Sequence, residues 1–396
     1  MKLGYFTHSN ISPSETFIQD LVKALNEDNE IDLTLFGGNK PHYIKGIDNL
    51  KLISTGYAQK GYKNSFRLYK LGQMLGGKGN LYKNRYQQKN AYKALKSTIK
   101  PSDKPDVAYI EYGTSAVLCY QYLLENNIPF VFHVHGYDVT SALNDATYKT
   151  ELQKAFKYAQ SIIAASHYIR KILVLAGCPN EKIKVIRIGI NANNINPQKW
   201  NERLKYEPSI VYIGRLTAKK HPIALIHAFN IVQQKIPSAK LTIIGGGELE
   251  EEVKNCIKDL KLTNKIEMLG VLTREQSFPI LNKHWVYAQH SVTANSGDQE
   301  GFAISLAEAA LHEIPVVSTY HNGIPENVID GKTGLLVKEF DYEAMAEKII
   351  YLLQNPEIAK QMGKAGRQHI LELCEPGKRV KKIKELLYKA ANKTQY

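Results

Sequence analysis

Short β-rich runs alternate along this chain with longer stretches of helical periodicity, the pattern of a parallel sheet wrapped by helices. Lys2-Leu3-Gly4-Tyr5-Phe6 reads as a first strand, and residues Glu15 to Leu25 as its helix, with Ser14 as N-cap. Further strands are predicted at Ile31–Phe36, Val107–Glu111, Phe130–Val134, Ser161–Ala164 and Lys184–Ile186. A second alternation begins near Pro208. It has strands at Ser209–Ile213, Lys240–Ile244, Ile266–Leu269, Trp285–Ala288, Pro315–Ser318 and Gly334–Leu336, and a helix over Pro222–Gln234 with Pro at its first position. The Asn-rich stretch Asn191–Glu207 reads as a linker. The expected architecture is α/β, two Rossmann-like domains facing a cleft, over residues 1–190 and 191–377, with a terminal helix in 378–396 crossing back to the first domain. In such sheets ligands bind outside the carboxyl ends of the strands, so the chemistry is sought in the loops that follow them.

A length of 396 residues suits two domains, and 43% hydrophobic with 23% charged residues suits packed cores. No apolar run reaches the roughly 18 residues a bilayer span needs. Nothing at Met1–His8 resembles a signal peptide, so the chain is expected in the cytoplasm. Cys119, Cys178, Cys256 and Cys374 are scattered without a CxxC pair, which argues against a zinc or redox motif.

The net charge of +14 changes the picture because it is unevenly spread. Between Tyr57 and Lys104 lie Lys60, Lys63, Arg67, Lys70, Lys78, Lys83, Arg85, Lys89, Lys93, Lys96, Lys100 and Lys104, against Asp103 alone. Such a segment can lie on anionic lipid or attract a phosphate-bearing acceptor, can be a solvated helical face, or can bind nucleic acid. Nucleic acid is not the expected partner, because it leaves the motifs below unexplained.

Four stretches carry candidate chemistry. Gly214-Arg215-Leu216-Thr217-Ala218-Lys219-Lys220 follows a strand and precedes the helix at Pro222, so Arg215 and Lys220 converge where a helix dipole already favours an anion. A diphosphate leaving group needs that, although two basic residues in a loop are by themselves merely solvated. Gly297-Asp298-Gln299-Glu300-Gly301-Phe302-Ala303 runs on to Glu308. Eight helical positions span about 12 Å, more than the about 5–9.5 Å of a glycosidase pair. The spacing suits one carboxylate on a hexose and one on a ribose, with the backbone of Gly301, Phe302 and Ala303 holding sugar and phosphate. At Phe132-His133-Val134-His135-Gly136-Tyr137-Asp138, His135 could meet a sugar, and His133 shares its strand parity and reads as the better placed. Ser14, Glu15 and Thr16, at the helix entry after the first strand, together with Asp138 are candidates for acceptor contacts.

Taken together these stretches resemble the family 4 retaining glycosyltransferases of the GT-B type. The resemblance is densest from Gly214 to Val337: the Gly-Arg-Leu-x-x-x-Lys loop, Gly245-Gly246-Gly247-Glu248-Leu249, the Glu-x7-Glu block, Ile314–Thr319, and Gly323-Ile324-Pro325-Glu326. The Ser-Glu-Thr-Phe-Ile and His-Gly-Tyr-Asp-Val segments resemble the subgroup that builds bacterial exopolysaccharides of the colanic acid and amylovoran type. The likeness is thin between Asn39 and Lys104.

That resemblance implies a first domain that binds the acceptor and a second that binds a nucleotide-sugar donor, a UDP-sugar by subgroup. Arg215 and Lys220 would hold the diphosphate, Glu300 the hexose hydroxyls and Glu308 the ribose. The backbone at Gly270, Val271 and Leu272 would meet the base, with His135 at the sugar's reacting face. It implies a glycan or lipid-linked saccharide acceptor, front-face substitution with retention, and neither metal nor cofactor, in keeping with the lack of an Asp-x-Asp cluster. Two positions depart from the pattern: His221 where Gly follows the loop lysine, and His290 where Pro is usual. The first loop also lacks paired glycines. A non-hydrolysing sugar-nucleotide 2-epimerase and a non-catalytic nucleotide-sugar-binding protein share the expected fold.

Overall fold

The computed structural model describes residues 1–8, 15–37, 47, 49–58, 62–74, 79–193 and 195–392. Ser14, Lys60 and Lys78 lie outside the described residues, as does the side chain of Lys63. The chain forms two compact units, Met1–Gly189 with Pro376–Tyr396, and Ile190–Glu375.

The first unit is built on seven strands: β1 (Lys2–Thr7), β2 (Asp32–Gly37), β3 (Lys51–Ser54), β4 (Val107–Glu111), β5 (Phe130–Val134), β6 (Ser161–Ala164) and β7 (Ile183–Val185). All pair in parallel, in the order β3-β2-β1-β4-β5-β6-β7. β4, β5 and β6 are buried along their whole length, as strands covered on both faces must be. The strand order reverses between β1 and β4, so a crevice forms at their carboxyl ends. There the chain leaves β1 toward the helix Thr16–Asn26, and leaves β4 at Glu111 and Tyr112.

Helix Pro376–Asn392 completes this unit and packs against β4, β5 and helix Thr16–Asn26. Arg379 is its most consequential residue. It is 4% exposed, and its Nη1 donates to the Phe17 carbonyl at 2.9 Å.

The second unit has six parallel strands: β8 (Ser209–Ile213), β9 (Lys240–Ile244), β10 (Ile266–Met268), β11 (Val286–Ala288), β12 (Val316–Thr319) and β13 (Gly334–Val337). Their order is β10-β9-β8-β11-β12-β13, so the reversal falls between β8 and β11. β8 feeds the Gly214–Lys220 loop and β11 feeds Gln289.

Two sequence expectations are corrected. The edge strand β3 has no counterpart in the hydrophobic pattern, because its four residues are half-exposed and exposed. The Asn191–Glu207 stretch is not a free linker: Trp200 and Arg203 are buried in the second unit. The Arg203 guanidinium donates to the carbonyls of Asn282, His312 and Glu313 at 3.1, 2.9 and 3.0 Å, satisfying acceptors at the carboxyl ends of helices Arg274–Leu281 and Ile304–Leu311. Among the described residues, no helix is long and apolar enough to cross a membrane.

Candidate active site

At the switch point of the second sheet the loop after β8 lies on a bed of glycine. Gly245 has φ +139°, and a Cβ there would sit 1.9 Å from the Gly214 carbonyl oxygen. A Cβ on Gly247 would sit 2.4 Å from that of Leu216. The close approach lets Gly214 N–H donate to Ile244 and Leu216 N–H to Gly246, which fixes the loop's path. The chain then turns through Ala218–Lys220 and His221. His221 takes the left-handed conformation at φ +38°, which accounts for the glycine usual there, and its Nδ1 accepts from Ala224 N–H as the helix N-cap.

This geometry sends Lys219 and Lys220 inward and leaves Arg215 exposed. Lys220 Nζ lies 2.6 Å from Glu300 Oε2, and it donates to Gln289 Oε1 at 3.4 Å. Lys219, which the sequence reading passed over, pairs with Asp298 at 3.2 Å. Burial by itself would raise the Glu300 carboxyl, but Lys220 and Lys219 outweigh it and hold it down to about 2. Two of the predicted site residues thus form one buried ion pair.

Glu300 does not lie on the helix that carries Glu308. That helix spans Ile304–Leu311, preceded by Ala303 at φ +54°, so the rise-per-residue estimate does not describe the carboxylate separation. Gly301, Phe302 and Ala303 are buried ahead of it, and the Asn327 amide donates to the Phe302 and Ala303 carbonyls. Glu308 meets a residue the sequence reading missed. Arg274 places Nε and Nη2 at 2.7 and 2.6 Å from its Oε1. The available signal was the capping box Thr273-x-x-Gln276, which sets Arg274 at the first helical position. Nearby, Gly270 turns at φ +66°, Val271 is 80% exposed, and Leu272 packs on the core beside Ile244 and Leu336.

His290 is buried, and its Nε2 accepts from Phe340 N–H at 2.8 Å. Burial pushes it down to about 4, so it acts as a neutral acceptor.

In the first unit, β5 carries His133 and delivers His135 just beyond its end. His133 is fully buried with Nδ1 at 2.9 Å from the Tyr109 hydroxyl, which corrects the expectation that it is the better placed histidine. Burial first, then His135 and Arg379, hold it well below the usual histidine range. His135 lies against it, ring centroids 4.0 Å apart and planes tilted by 36°, with 11% of its side chain exposed. Its Nε2 meets Glu111 Oε2 at 2.7 Å, while the Tyr5 hydroxyl donates to Glu111 Oε1 at 2.5 Å. Burial would raise the Glu111 carboxyl; His135 and Arg379 reverse that and keep it low.

Asp138 is also corrected. Its carboxylate is 1% exposed and accepts from the backbone N–H groups of Gly113, His135 and Gly136, so it pins the loop rather than offering itself to an acceptor. Glu15 stands at the N-cap position before Thr16 and accepts from the Tyr112 hydroxyl at 2.7 Å.

Glu111, His133 and His135 have ligand-type atoms within 4.8 Å of one another, the group among the described residues that could hold a metal. Its arrangement is that of a hydrogen-bonded pair. At 2.7 Å, Glu111 and His135 are closer than the about 3.3 Å separating two ligands of a tetrahedral zinc. Arg379 adds a positive charge that opposes a cation there.

With two parallel sheets, each reversing its strand order beside a cluster of polar and charged residues, the fold is that of the GT-B class. Residues 14–194 match the family model described as Glycosyltransferase Family 4, and residues 194–369 match that of Glycosyl transferases group 1. The chain belongs to the family 4 glycosyltransferases. It is 29% identical over 379 residues to the amylovoran biosynthesis glycosyltransferase of Erwinia amylovora, covering 89% of this chain and 91% of that one. It is 31% identical over 251 residues to a putative colanic acid biosynthesis glycosyltransferase of Escherichia coli, covering 62% of this chain and 61% of that protein. In fold it is similar to Anabaena HepE solved with UDP and glucose, with TM-score 0.75, 18% identity, and 98% of this chain and 100% of that one covered. It is also similar to sucrose-phosphate synthase of Thermosynechococcus elongatus, with TM-score 0.78, 17% identity and 98% of each chain covered.

Proposed function

We propose that this glycosyltransferase moves a hexose, with retention, from a UDP-sugar to a glycan or lipid-linked acceptor in bacterial surface polysaccharide synthesis. The observation that carries the proposal is the buried Lys220–Glu300 pair at the β8/β11 switch point. In the free protein each side chain neutralises the other. An arriving diphosphate draws Lys220, with exposed Arg215 beside it, and Glu300 turns to the hexose hydroxyls. Negative charge that grows on the leaving diphosphate then meets groups already in place. Glu308, near the turn at Gly270, takes the ribose hydroxyls in exchange for Arg274, and the backbone of Gly270, Val271 and Leu272 meets the base.

His135 is assigned to the transferred sugar, and the leaving phosphate accepts the acceptor hydroxyl's proton on the face it departs from. The reading needs no metal. The relatives' names supply the polysaccharide context, and a solved neighbour bound to UDP favours uridine as the base.

The test is a thermal-shift screen of UDP-, GDP-, ADP- and CMP-sugars on wild type and Glu308→Ala. One base class should raise the melting temperature by a few degrees, and less in the variant. No response to any of them would sink the donor assignment. Turnover of a nucleotide-sugar without acceptor would favour the epimerase instead.

A peripheral site on the inner face of the cell membrane is part of the proposal. Helix Gly79–Thr98 exposes Arg85, Lys89, Lys93 and Lys96 at i, i+4, i+8 and i+11, one stripe of its surface, with Tyr82 at its start. Leu71 and Met74 on helix Tyr62–Met74 are 51% and 84% exposed. Cationic and apolar side chains side by side suit an anionic headgroup layer. Flotation with anionic but not neutral liposomes at low salt is expected; no shift to the floating fraction would refute it.

A further inference from the structure

Beyond β12 stands a histidine that the roles assigned so far leave out. His321 is fully buried, with Nδ1 2.7 Å from Glu339 Oε1. The Glu339 carboxylate is itself anchored, since its Oε2 accepts from Thr293 N–H at 2.9 Å. On the other side of the ring Glu300 N–H donates to Nε2 at 3.1 Å, while the Asn322 amide lies within 2.9 Å of Nε2 and 3.4 Å of Nδ1 and does not choose between them. A carboxylate at one nitrogen and a backbone N–H at the other leave a single tautomer that satisfies both. The proton sits on Nδ1, and Nε2 offers its lone pair.

The Glu300 segment is thereby held from two sides. Lys219 grips Asp298 Oδ1 at 3.2 Å and the Gln299 carbonyl at 3.3 Å, while His321 takes the next backbone N–H. Glu300 lies outside the helix and cannot draw its position from helical hydrogen bonds.

We propose that His321, its tautomer fixed by Glu339, is a positioning residue that sets the backbone of Glu300, and so aims the Glu300 carboxylate at the donor hexose. The inference rests on the assignment of Glu300 to the hexose. Neither His321 nor Glu339 touches the sugar. They act through a main-chain hydrogen bond, and the bond fails if Nε2 carries a proton or the acceptor is removed.

The test uses the full chain with His321→Met, which keeps bulk and removes the acceptor, and His321→Gln, whose amide oxygen can replace Nε2. Imidazole 15N spectra of the wild type should show the proton on Nδ1. Hydrogen exchange at the Glu300 amide should speed up in His321→Met and stay protected in His321→Gln. Turnover of the donor should fall about tenfold in His321→Met, the size expected for one lost hydrogen bond. His321→Gln should recover most of it, and the dissociation constant for free UDP should change less than about twofold in either, since UDP carries no hexose. A proton on Nε2 in the wild type, or folded His321→Met with wild-type turnover, overturns the proposal. A wild type that turns over no nucleotide-sugar fails the hexose assignment instead, and the spectra and amide exchange still decide whether His321 holds Glu300.

Discussion

The Glu111 carboxylate lies 2.7 Å from the His135 imidazole at the carboxyl ends of two neighbouring strands, 24 residues apart in sequence and brought together by the parallel register of β4 and β5. The register pairs Glu111 with His133, which puts the next residue of the same parity, His135, within reach of the carboxylate. Glu111→Ala should leave buried Arg379 without its counter-charge and His135 without its hydrogen-bond partner, and cost roughly 3–5 kcal/mol of stability. Glu111→Gln should fold and lose turnover by about tenfold or more, as the imidazole loses its charged partner. Urea unfolding and a donor-turnover assay check the two; a Glu111→Ala protein as stable as wild type would contradict this account of the network.

Lys220 and Glu300 form a buried pair, so removing one partner is worse than removing both. Lys220→Ala should destabilise the second unit by roughly 3–5 kcal/mol. Lys220→Met combined with Glu300→Gln should regain part of that, while donor turnover stays lost. A double-mutant cycle in urea measures the difference. Because Glu300 is held down to about 2 from an ordinary 4.5, its contribution is complete above pH 4.5 and is lost only as pH falls toward 2. Activity lost on acidification above pH 5 should therefore not follow Glu300.

That loss should follow buried histidines. Burial lowers His284, His290 and His312 from 6.5 to about 4 each. Depressed groups of this kind leave stability intact above the unfolded value and erode it as pH falls, because the unfolded chain binds protons that the folded one refuses. Each should contribute a slope of about 1.4 kcal/mol per pH unit between 6.5 and 4. Melting temperatures should be flat from pH 7 to 8 and fall steeply below 6.5. A flat profile down to pH 4.5 would count against neutral buried imidazoles.

Gly245→Ala should disrupt the donor loop without touching a charged group. Its Cβ would meet the Gly214 oxygen at 1.9 Å, on a backbone at φ +139°. Strain of that kind costs on the order of 1–3 kcal/mol before the clash is counted. Reduced thermal stability, with a weakened nucleotide response, is the expected outcome, read by thermal shift with and without UDP.

Much of this was legible in the sequence, and the limits have physical causes. Val107–Glu111, Phe130–Val134 and Ser161–Ala164 stand out as apolar runs because both faces of their strands are buried. The Gly214–Lys220 loop announced itself through a strand, a glycine and a helix start. By contrast, Lys51–Ser54 is an edge strand recruited by β2, with no apolar face of its own. Arg203 reads as one more charge in a polar stretch, since the carbonyls it satisfies lie some 80 to 110 positions onward. Glu111, His321 and Arg274 were missed for the same reason. Each matters through partners distant in sequence, and local pattern does not name such partners; for Arg274 the capping box marked the position but not its contact with Glu308.

The terminal helix has a consequence in time as well as in space. During synthesis β4 and β5 emerge early, but Arg379, the cation that faces Glu111, is made only after the whole of the second unit. At elongation rates of about 5–20 residues per second that delay is on the order of 10 s. Through it the nascent first unit lacks part of the counter-charge of Glu111, the donor to the Phe17 carbonyl, and the helix that packs on β4 and β5. The second unit is contiguous and can reach its final fold first, so the part of the chain that is translated first is the part that matures last.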